Sequence, residues 1–410
     1  MAEGIEALVA LDDFEVLSST VIDGVLEVRV RSTFPTACWH CGSVAVIGHG
    51  RHERRVRDCS RGYPTVLIWE QRRLACSDCG RTSRERHPAM FERRSITRRF
   101  RRQLFEEACD RPFSEVAAAH GITAYRVVEA FDSMAANELV EIGSPRVLAL
   151  DESSFRKRFR FNTVLFDPIA RTALAVVEGR NQHAAETLLF GLSAQVRAGV
   201  ETVVIDCHWP FRKAIAEAIP DARVVVDKFH ALRAVDAAAH RVRLRHGRKP
   251  RTDLAGRDGG ISRQHNPRHD PAIYRARWTF MRRAHHLTDR DRDTLNTIFA
   301  IEPAVGVAYW MKEAFASIYD AADRAEAERR LAVWEHNLAA ANLLELTQLW
   351  RNLQWWREQI LAYFDDRQTN AFAEGVTNKI KVMKRRGYGY QNPQRYGHKV
   401  LLTIGRRRTT

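Results

Sequence analysis

Three acids stand at positions where a nuclease would need them. Asp151 closes the apolar run of VLALD, Asp206 closes TVVID, and Glu374 lies in NAFAEGVTNKIK, on a segment whose other residues include Lys379 and Lys381. Two strand-like runs and one helix would each deliver one carboxylate. Hard divalent cations such as Mg²⁺ or Mn²⁺ prefer oxygen ligands and keep positions open for water and phosphate oxygens. Two such ions about 3.5 to 4 Å apart can activate a nucleophile and stabilise the leaving oxygen of an in-line phosphodiester displacement. Water as nucleophile gives strand cleavage, and a DNA 3′-hydroxyl gives strand transfer. Glu152 follows Asp151 directly, but successive strand residues face opposite ways, so only one of the pair should reach a metal.

The elements around these acids fit that role. Val147–Leu150, Phe161–Phe166 and Ala173–Val177 read as an antiparallel meander. A helix over 182–198, a strand at Val203 to Asp206, a helix over 211–218 and a strand over 223–226 follow. Three hairpin strands and then alternating helix and strand is an RNase H-like order, in which the first and fourth strands are neighbours. Thr369 or Asn370 can cap a helix running to about Arg385. Phe372, Val376, Ile380 and Met383 share one face of it, and Glu374, Asn378, Lys381 and Arg385 another.

Four of the seven cysteines form C-x-x-C-G repeats, Cys38-x-x-Cys41-Gly42 and Cys76-x-x-Cys79-Gly80, with 34 residues between the pairs. Two such turns suit one tetrahedral Zn²⁺ in a zinc-ribbon-like unit; a redox dithiol would need only one pair. Strand character at Val44 to Ile47 and at Val66 to Trp69 supports the ribbon. Cys59, Cys109 and Cys207 have no partner at ligand spacing.

Lys and Arg number 65 against 50 Asp and Glu, for a formal charge of +15. The excess is clustered, which points to a polyanionic partner. Arg93, Arg94, Arg98, Arg99, Arg101 and Arg102 crowd a stretch in which Glu85 and Glu92 are the only acids from residue 81 to 102, and DNA phosphates are the expected counterions. From Pro112 to Thr123, Ser114 reads as a helix N-cap, Ala117 as the small residue and Gly121 as the turn of a helix-turn-helix. Tyr125 and Arg126 would open its recognition helix; an ordinary helical hairpin is the competing reading. No apolar run reaches the ~20 residues of a membrane span, so a cytoplasmic, nucleoid-associated location is expected.

The combination resembles a known family, the zinc-finger-bearing bacterial insertion-sequence transposases of the ISL-three group, which carry an aspartate-aspartate-glutamate (DDE) domain. The paired knuckles, LALDESSF, VVIDCHWPFRKAI, VVVDKFHALRAV, the YWMKEAF segment around Lys312 and EGVTNKIKVMKRRGYGY carry the resemblance over nearly the whole chain. It implies a catalytic triad of Asp151, Asp206 and Glu374, and an Asp227-x-x-His230 motif after the last core strand. It also implies binding of terminal inverted repeats and target DNA as duplex, and at least a homodimer in the synaptic complex. A regulator using only the zinc and helix-turn-helix modules is the alternative.

The expected architecture is multidomain α+β. A zinc-binding domain spans 1–90 and a helix-turn-helix domain 91–142. The first part of an RNase H-like core spans 143–241, a mostly helical insertion 242–365, and the last core helix with a basic tail 366–410. The insertion follows from the 167 residues between Asp206 and Glu374, far more than one helix and strand require. Its start, His246 to His269, reads as a mobile basic loop. Its six tryptophans, at 278, 310, 334, 350, 355 and 356, are expected mainly in the core, with stacking on an unpaired base as the alternative. The tail from Arg385 through Arg408 is expected to track phosphates.

Overall fold

The computed structural model describes residues 11–156, 160–248, 270–387 and 390–407. They fall into two units, one running to Val140 and resuming at Val382, the other covering Glu141–Lys381.

The first unit begins with strands β1 (Phe14–Ile22), β2 (Val25–Ser32), β3 (Val46–Arg61), β4 (Tyr63–Cys76) and β5 (Thr82–Arg84), ordered β1-β2-β4-β3 with β5 on β4. Asp23 and Gly24, at φ 49° and 73°, make the left-handed two-residue turn whose twist suits the β1–β2 hairpin. Alternation along β4 sends Thr65, Leu67, Trp69 and Gln71 to the buried face, where Leu67 and Trp69 meet Val28, Val30, Val56 and Met90. Because β3 and β4 pair from Arg61–Tyr63 back to Val46–Cys76, the long hairpin returns the chain to the first knuckle.

Helices α1 (Arg98–Asp110), α2 (Phe113–His120) and α3 (Ala124–Met134) follow. Phe100, Leu104, Phe105, Val116, Val127 and Phe131 form their shared core, and Ala117 supplies the small contact between helices. Gly121 takes φ 61°, and the Gly121 and Ile122 amides donate to the Ala118 and Ala117 carbonyls, a glycine-terminated helix end. The cap before α2 differs from expectation: Pro112, not Ser114, occupies it, because its fixed φ of −56° already sets the first turn.

In the second unit, β6 (Val147–Arg156), β7 (Arg160–Asp167) and β8 (Thr172–Glu178) form the antiparallel meander, and β9 (Thr202–Ile205) and β10 (Arg223–Val226) add in parallel, in the order β10-β9-β6-β7-β8. β6 runs five residues past Asp151, so that acid lies within a strand instead of ending it. The helix expected over 182–198 is two, α4 (Gln182–Phe190) and α5 (Ala194–Ala198). Gly191 closes the first and Ser193 caps the second. α6 (Trp209–Ala218) and α7 (Lys228–His246) complete this part.

The next described residues are helical: α8 (Pro271–Arg275), α9 (Arg277–Met281), α10 (Asp289–Ile301), α11 (Pro303–Ile318), α12 (Arg324–Ala341), α13 (Leu344–Leu353), α14 (Arg357–Leu361) and α15 (Tyr363–Asp366). The loop expected over His246–His269 lies, from residue 249 onward, outside the described residues. Trp334 and Trp356 are buried as expected, but Trp278, Trp310 and Trp355 are 71%, 57% and 65% exposed. Neighbours Tyr309, Met311 and Trp356 take the buried directions at the last two sites, leaving each intervening indole outside. Inside the helices, fully buried Lys312 donates to the Arg282 carbonyl at 3.1 Å and pairs with Glu313, which also faces Arg283 at 3.4 Å.

α16 (Ala371–Arg386) carries Glu374, and its last turn belongs with α17 (Pro393–Thr403) to the first unit. The stretch expected as a basic tail is in part a packed helix. Leu402 joins the core of α1–α3, and buried Lys399 donates to the Ala108 and Arg111 carbonyls at the end of α1. Arg395 pairs with Asp132 at 2.7 Å and Arg407 with Asp110 at 3.1 Å. Window counting of charge could not see these partners, which lie more than two hundred residues away in sequence.

Candidate active site and metal centre

The two knuckles are near superimposable in their hydrogen bonding. Gly42 donates to the Cys38 carbonyl at 2.7 Å and Gly80 to the Cys76 carbonyl at 3.0 Å; both glycines have left-handed φ, 78° and 66°. Cys38 and Cys76 in turn donate to the carbonyls of Ser43 and Arg81, at 2.7 and 3.0 Å. All four Sγ atoms lie within 4.8 Å of one another, with Cys38–Cys79 and Cys41–Cys76 each at 3.6 Å. A tetrahedron of Zn–S bonds about 2.3 Å long has edges of about 3.8 Å, so the cluster fits zinc closely.

The carboxylates are arranged differently. Parallel register pairs Ala149 with Val204; Asp151 lies two residues further along β6 and Asp206 just past the end of β9, near enough for the Asp151 charge to act on it. Asp151 is buried, and its Oδ2 accepts a hydrogen bond from Thr377 Oγ1 of α16 at 2.7 Å. Asp206 Oδ1 is buried with no hydrogen-bond partner. Burial raises its pKa, reinforced by the charges of Glu152 and Asp151 and opposed by His230 and His208. An orphaned carboxylate oxygen held among other acids is suited to a cation, so these residues fit the divalent metal they would hold. Glu374 is half-buried in the first turn of α16, one turn before Thr377. Among the described residues, the four cysteines are the one group of three or more possible ligands gathered within 4.8 Å; Asp151, Asp206 and Glu374 are not gathered so closely.

His230 Nδ1 lies 3.0 Å from Asp227 Oδ2, and this hydrogen bond raises its pKa, with Asp206 and Asp151 adding and burial opposing. Asp227 is fully buried, and its Oδ1 accepts from the Asn370 amide at 3.2 Å, tying the start of α7 to the residue before α16. Glu152, with its pKa raised mainly by burial, sits 3.7 Å from Arg180 and 3.8 Å from His208. Sequence reading set Glu152 aside and missed Thr377. Glu152 acts on Asp206 through its charge, and Thr377 follows Glu374 at the i+3 spacing that shares a helix face. A cavity of about 790 Å³ opens here, lined by Asp206, His230, Trp209, Trp355 and Trp356 among others.

The arginines of the first unit divide into two sets. Arg99 Nε donates to buried Asp58 at 2.8 Å, Arg94 pairs with Glu129 at 2.9 Å, and Arg102 pairs with Glu106 at 2.7 Å and with Glu138. Their counterions are therefore protein acids lying outside the window that sequence reading counted. Arg98 and Arg101 lie over the Phe91 ring at 4.5 and 4.3 Å, and Arg93 is exposed. Tyr125 is 74% exposed at the start of α3, where Arg126 reaches Ser95 Oγ at 3.3 Å. In α16, Asn378, Lys381 and Arg385 are exposed.

A mixed sheet with Asp151 on one strand and Asp206 just past its neighbour, in a chain that also carries a four-cysteine cluster, suits a DDE transposase class of protein. Two family models and two relatives agree. The family model of the ISL3 DDE domain, described as "Transposase", matches residues 148–400, and that of the "zinc-finger of transposase IS204/IS1001/IS1096/IS1165" matches residues 35–79. This chain belongs to the ISL3 family of transposases. It is 24% identical over 375 residues to the transposase for insertion sequence element IS1001 of Bordetella parapertussis, covering 89% of each chain. It is 23% identical over 273 residues to the transposase for IS1557 of Mycobacterium tuberculosis, covering 65% of this chain and 61% of the other. Among solved structures, a simian T-cell lymphotropic virus intasome in complex with PP2A regulatory subunit B56 gamma matches at 12% identity over 34% of this chain and 57% of that one, with a TM-score of 0.17.

Proposed function

We propose that the chain cuts and joins the ends of an insertion sequence with two divalent cations, Mg²⁺ or Mn²⁺, held by Asp151, Asp206 and Glu374 in an RNase H-like core. The observation that carries this reading is the orphaned, buried Asp206 Oδ1, just past the strand that pairs with β6 and within reach of the Asp151 charge. Such cations polarise the scissile phosphate and lower the pKa of the attacking hydroxyl.

The chain's own residues prepare that chemistry. Thr377 Oγ1 and the Glu152 amide donate to the two oxygens of Asp151, at 2.7 Å each, and so fix the orientation of its carboxylate. His230, kept basic by Asp227, stands beside Asp206 where it can donate a proton to a departing 3′-oxygen. Glu374 enters from the first turn of α16, so closure of the triad depends on how that turn sits against the sheet. In the first unit, α2 and α3 act as a helix-turn-helix, with Tyr125 and Arg126 reading bases and Arg93, Arg98 and Arg101 contacting phosphates. The helices α8–α15 form an inserted domain, and pairing of two DNA ends requires a dimer.

Cleavage of a labelled duplex bearing the element's end, with Mg²⁺ or with EDTA, tests the reading. Wild-type protein should nick only with Mg²⁺ and Glu374→Gln should not nick, while both bind the duplex equally. Equal nicking by both proteins would remove Glu374 from the site.

A further inference from the structure

Beneath the knuckles, the first unit holds a cavity of about 560 Å³ that the transposition chemistry does not use. This is ample for a small planar ligand, since binding pockets commonly span about 300 to 1,000 Å³. Its walls include Trp69 and Gln71 of β4, Phe34, Trp39, Phe91 and Arg86.

Two of these residues hold unsatisfied polar atoms. Trp69 is 1% exposed and its Nε1 has no acceptor; Gln71 is 4% exposed and its Oε1 has no donor. The Gln71 amide nitrogen is already committed to the Glu85 carbonyl at 2.9 Å, which fixes the oxygen as the free end. Trp69 and Gln71 are two apart on one strand and so share its buried face. One free donor and one free acceptor, on the same strand face of an aromatic cavity, complement the acceptor-and-donor Watson–Crick edge that every nucleobase carries. The Watson–Crick edge is occupied in a duplex, so a base that presents it to the cavity is an unpaired one.

The rim suits the rest of a nucleotide. Arg86 lies 3.8 Å over the Trp39 ring, a stacked cation that offers a flat platform, and Arg84, Arg93 and Arg98 are exposed around the cavity. The acids among the walls are occupied: Glu85 by Arg72 at 2.6 Å and Glu92 by Arg86 at 2.9 Å.

We propose that this cavity binds an unpaired nucleobase of a DNA strand, with Trp69 Nε1 and Gln71 Oε1 meeting the base edge and the rim arginines its phosphates. The zinc-bearing unit thereby senses melted or single-stranded DNA in addition to duplex.

The test uses full-length protein and fluorescence anisotropy with three labelled probes: a mixed-sequence single strand, an abasic strand of the same length, and a duplex. Wild type should bind the base-bearing strand about tenfold more tightly than the abasic one. Gln71→Leu and, separately, Arg86→Ala should bring that preference below about threefold with duplex affinity unchanged. Zinc content and thermal unfolding verify that each variant is folded, and Arg86→Ala, at an exposed rim residue, keeps the test valid if Gln71→Leu misfolds. Equal binding of both strands by wild type, or an intact preference in a folded variant, would overturn the proposal. Mg²⁺-dependent cleavage is read separately, so a failure here leaves the Asp206 site standing.

Discussion

The four cysteines and the three carboxylates proposed as metal ligands are both drawn from distant parts of the sequence, yet of these two sets the cysteines are the one gathered at ligating distance among the described residues. Each cysteine pair lies in one tight turn whose backbone bonds and left-handed glycine set both sulfurs together. Each carboxylate comes from a different element, and their charges repel. Burial and like charge already raise the Asp206 pKa, so tighter packing without a cation would raise it further. Structural sites are closed by the fold, whereas catalytic sites retain open positions that ion and substrate fill.

That contrast can be broken most forcefully at the knuckles. Cys76→Ser should abolish stoichiometric zinc, measured by mass spectrometry, and unfold the first unit, since structural zinc contributes about 10 kcal/mol or more. Retention of a cooperative transition without zinc would show the cluster is not structural. Asp206→Asn should lower Mg²⁺-dependent cleavage at least about a thousandfold, as expected when a metal ligand is lost. The same change should leave metal-free folding intact or raise Tm by roughly 2 to 4 °C, because it removes a buried, like-charge-crowded carboxylate. A large fall in Tm would mean that the acid is a structural partner.

Arg99→Gln should destabilise the first unit by about 3 kcal/mol, because buried Asp58 loses its cation. Chemical denaturation would show it, with little change in the salt dependence of DNA binding. Thr377→Val should reduce cleavage about tenfold to a hundredfold by releasing Asp151, with metal affinity falling in parallel. Unaltered cleavage would make that hydroxyl merely a packing contact. The smallest effect is expected at exposed Arg93, where Arg93→Gln should reduce the slope of log affinity against log salt by about 1 without changing stability.

The knuckles were legible because their chemistry is local: spacing and the following glycine specify the turn. The parallel pairing of β6 with β9, which brings the Asp151 charge within reach of Asp206, was legible from strand order. Thr377 was not, because its role requires knowing which face of α16 meets the sheet. The fates of Arg94, Arg99 and Arg102 were also hidden, since Glu129, Asp58, Glu106 and Glu138 reach them only through tertiary packing. Alternation could assign Glu152 to a strand face, but charge acts through space and Asp206 responds to it.

The placement of α17 has a consequence for biogenesis. Leu402 and Lys399 complete a core whose other members lie between Ile96 and Ala135, so the whole second unit must leave the ribosome before the first can finish folding. At about 5 to 20 residues per second, that delay is on the order of tens of seconds. During this time α1–α3 lack their final partner, so a chain truncated before Tyr396 would carry all three acids but an incomplete first unit.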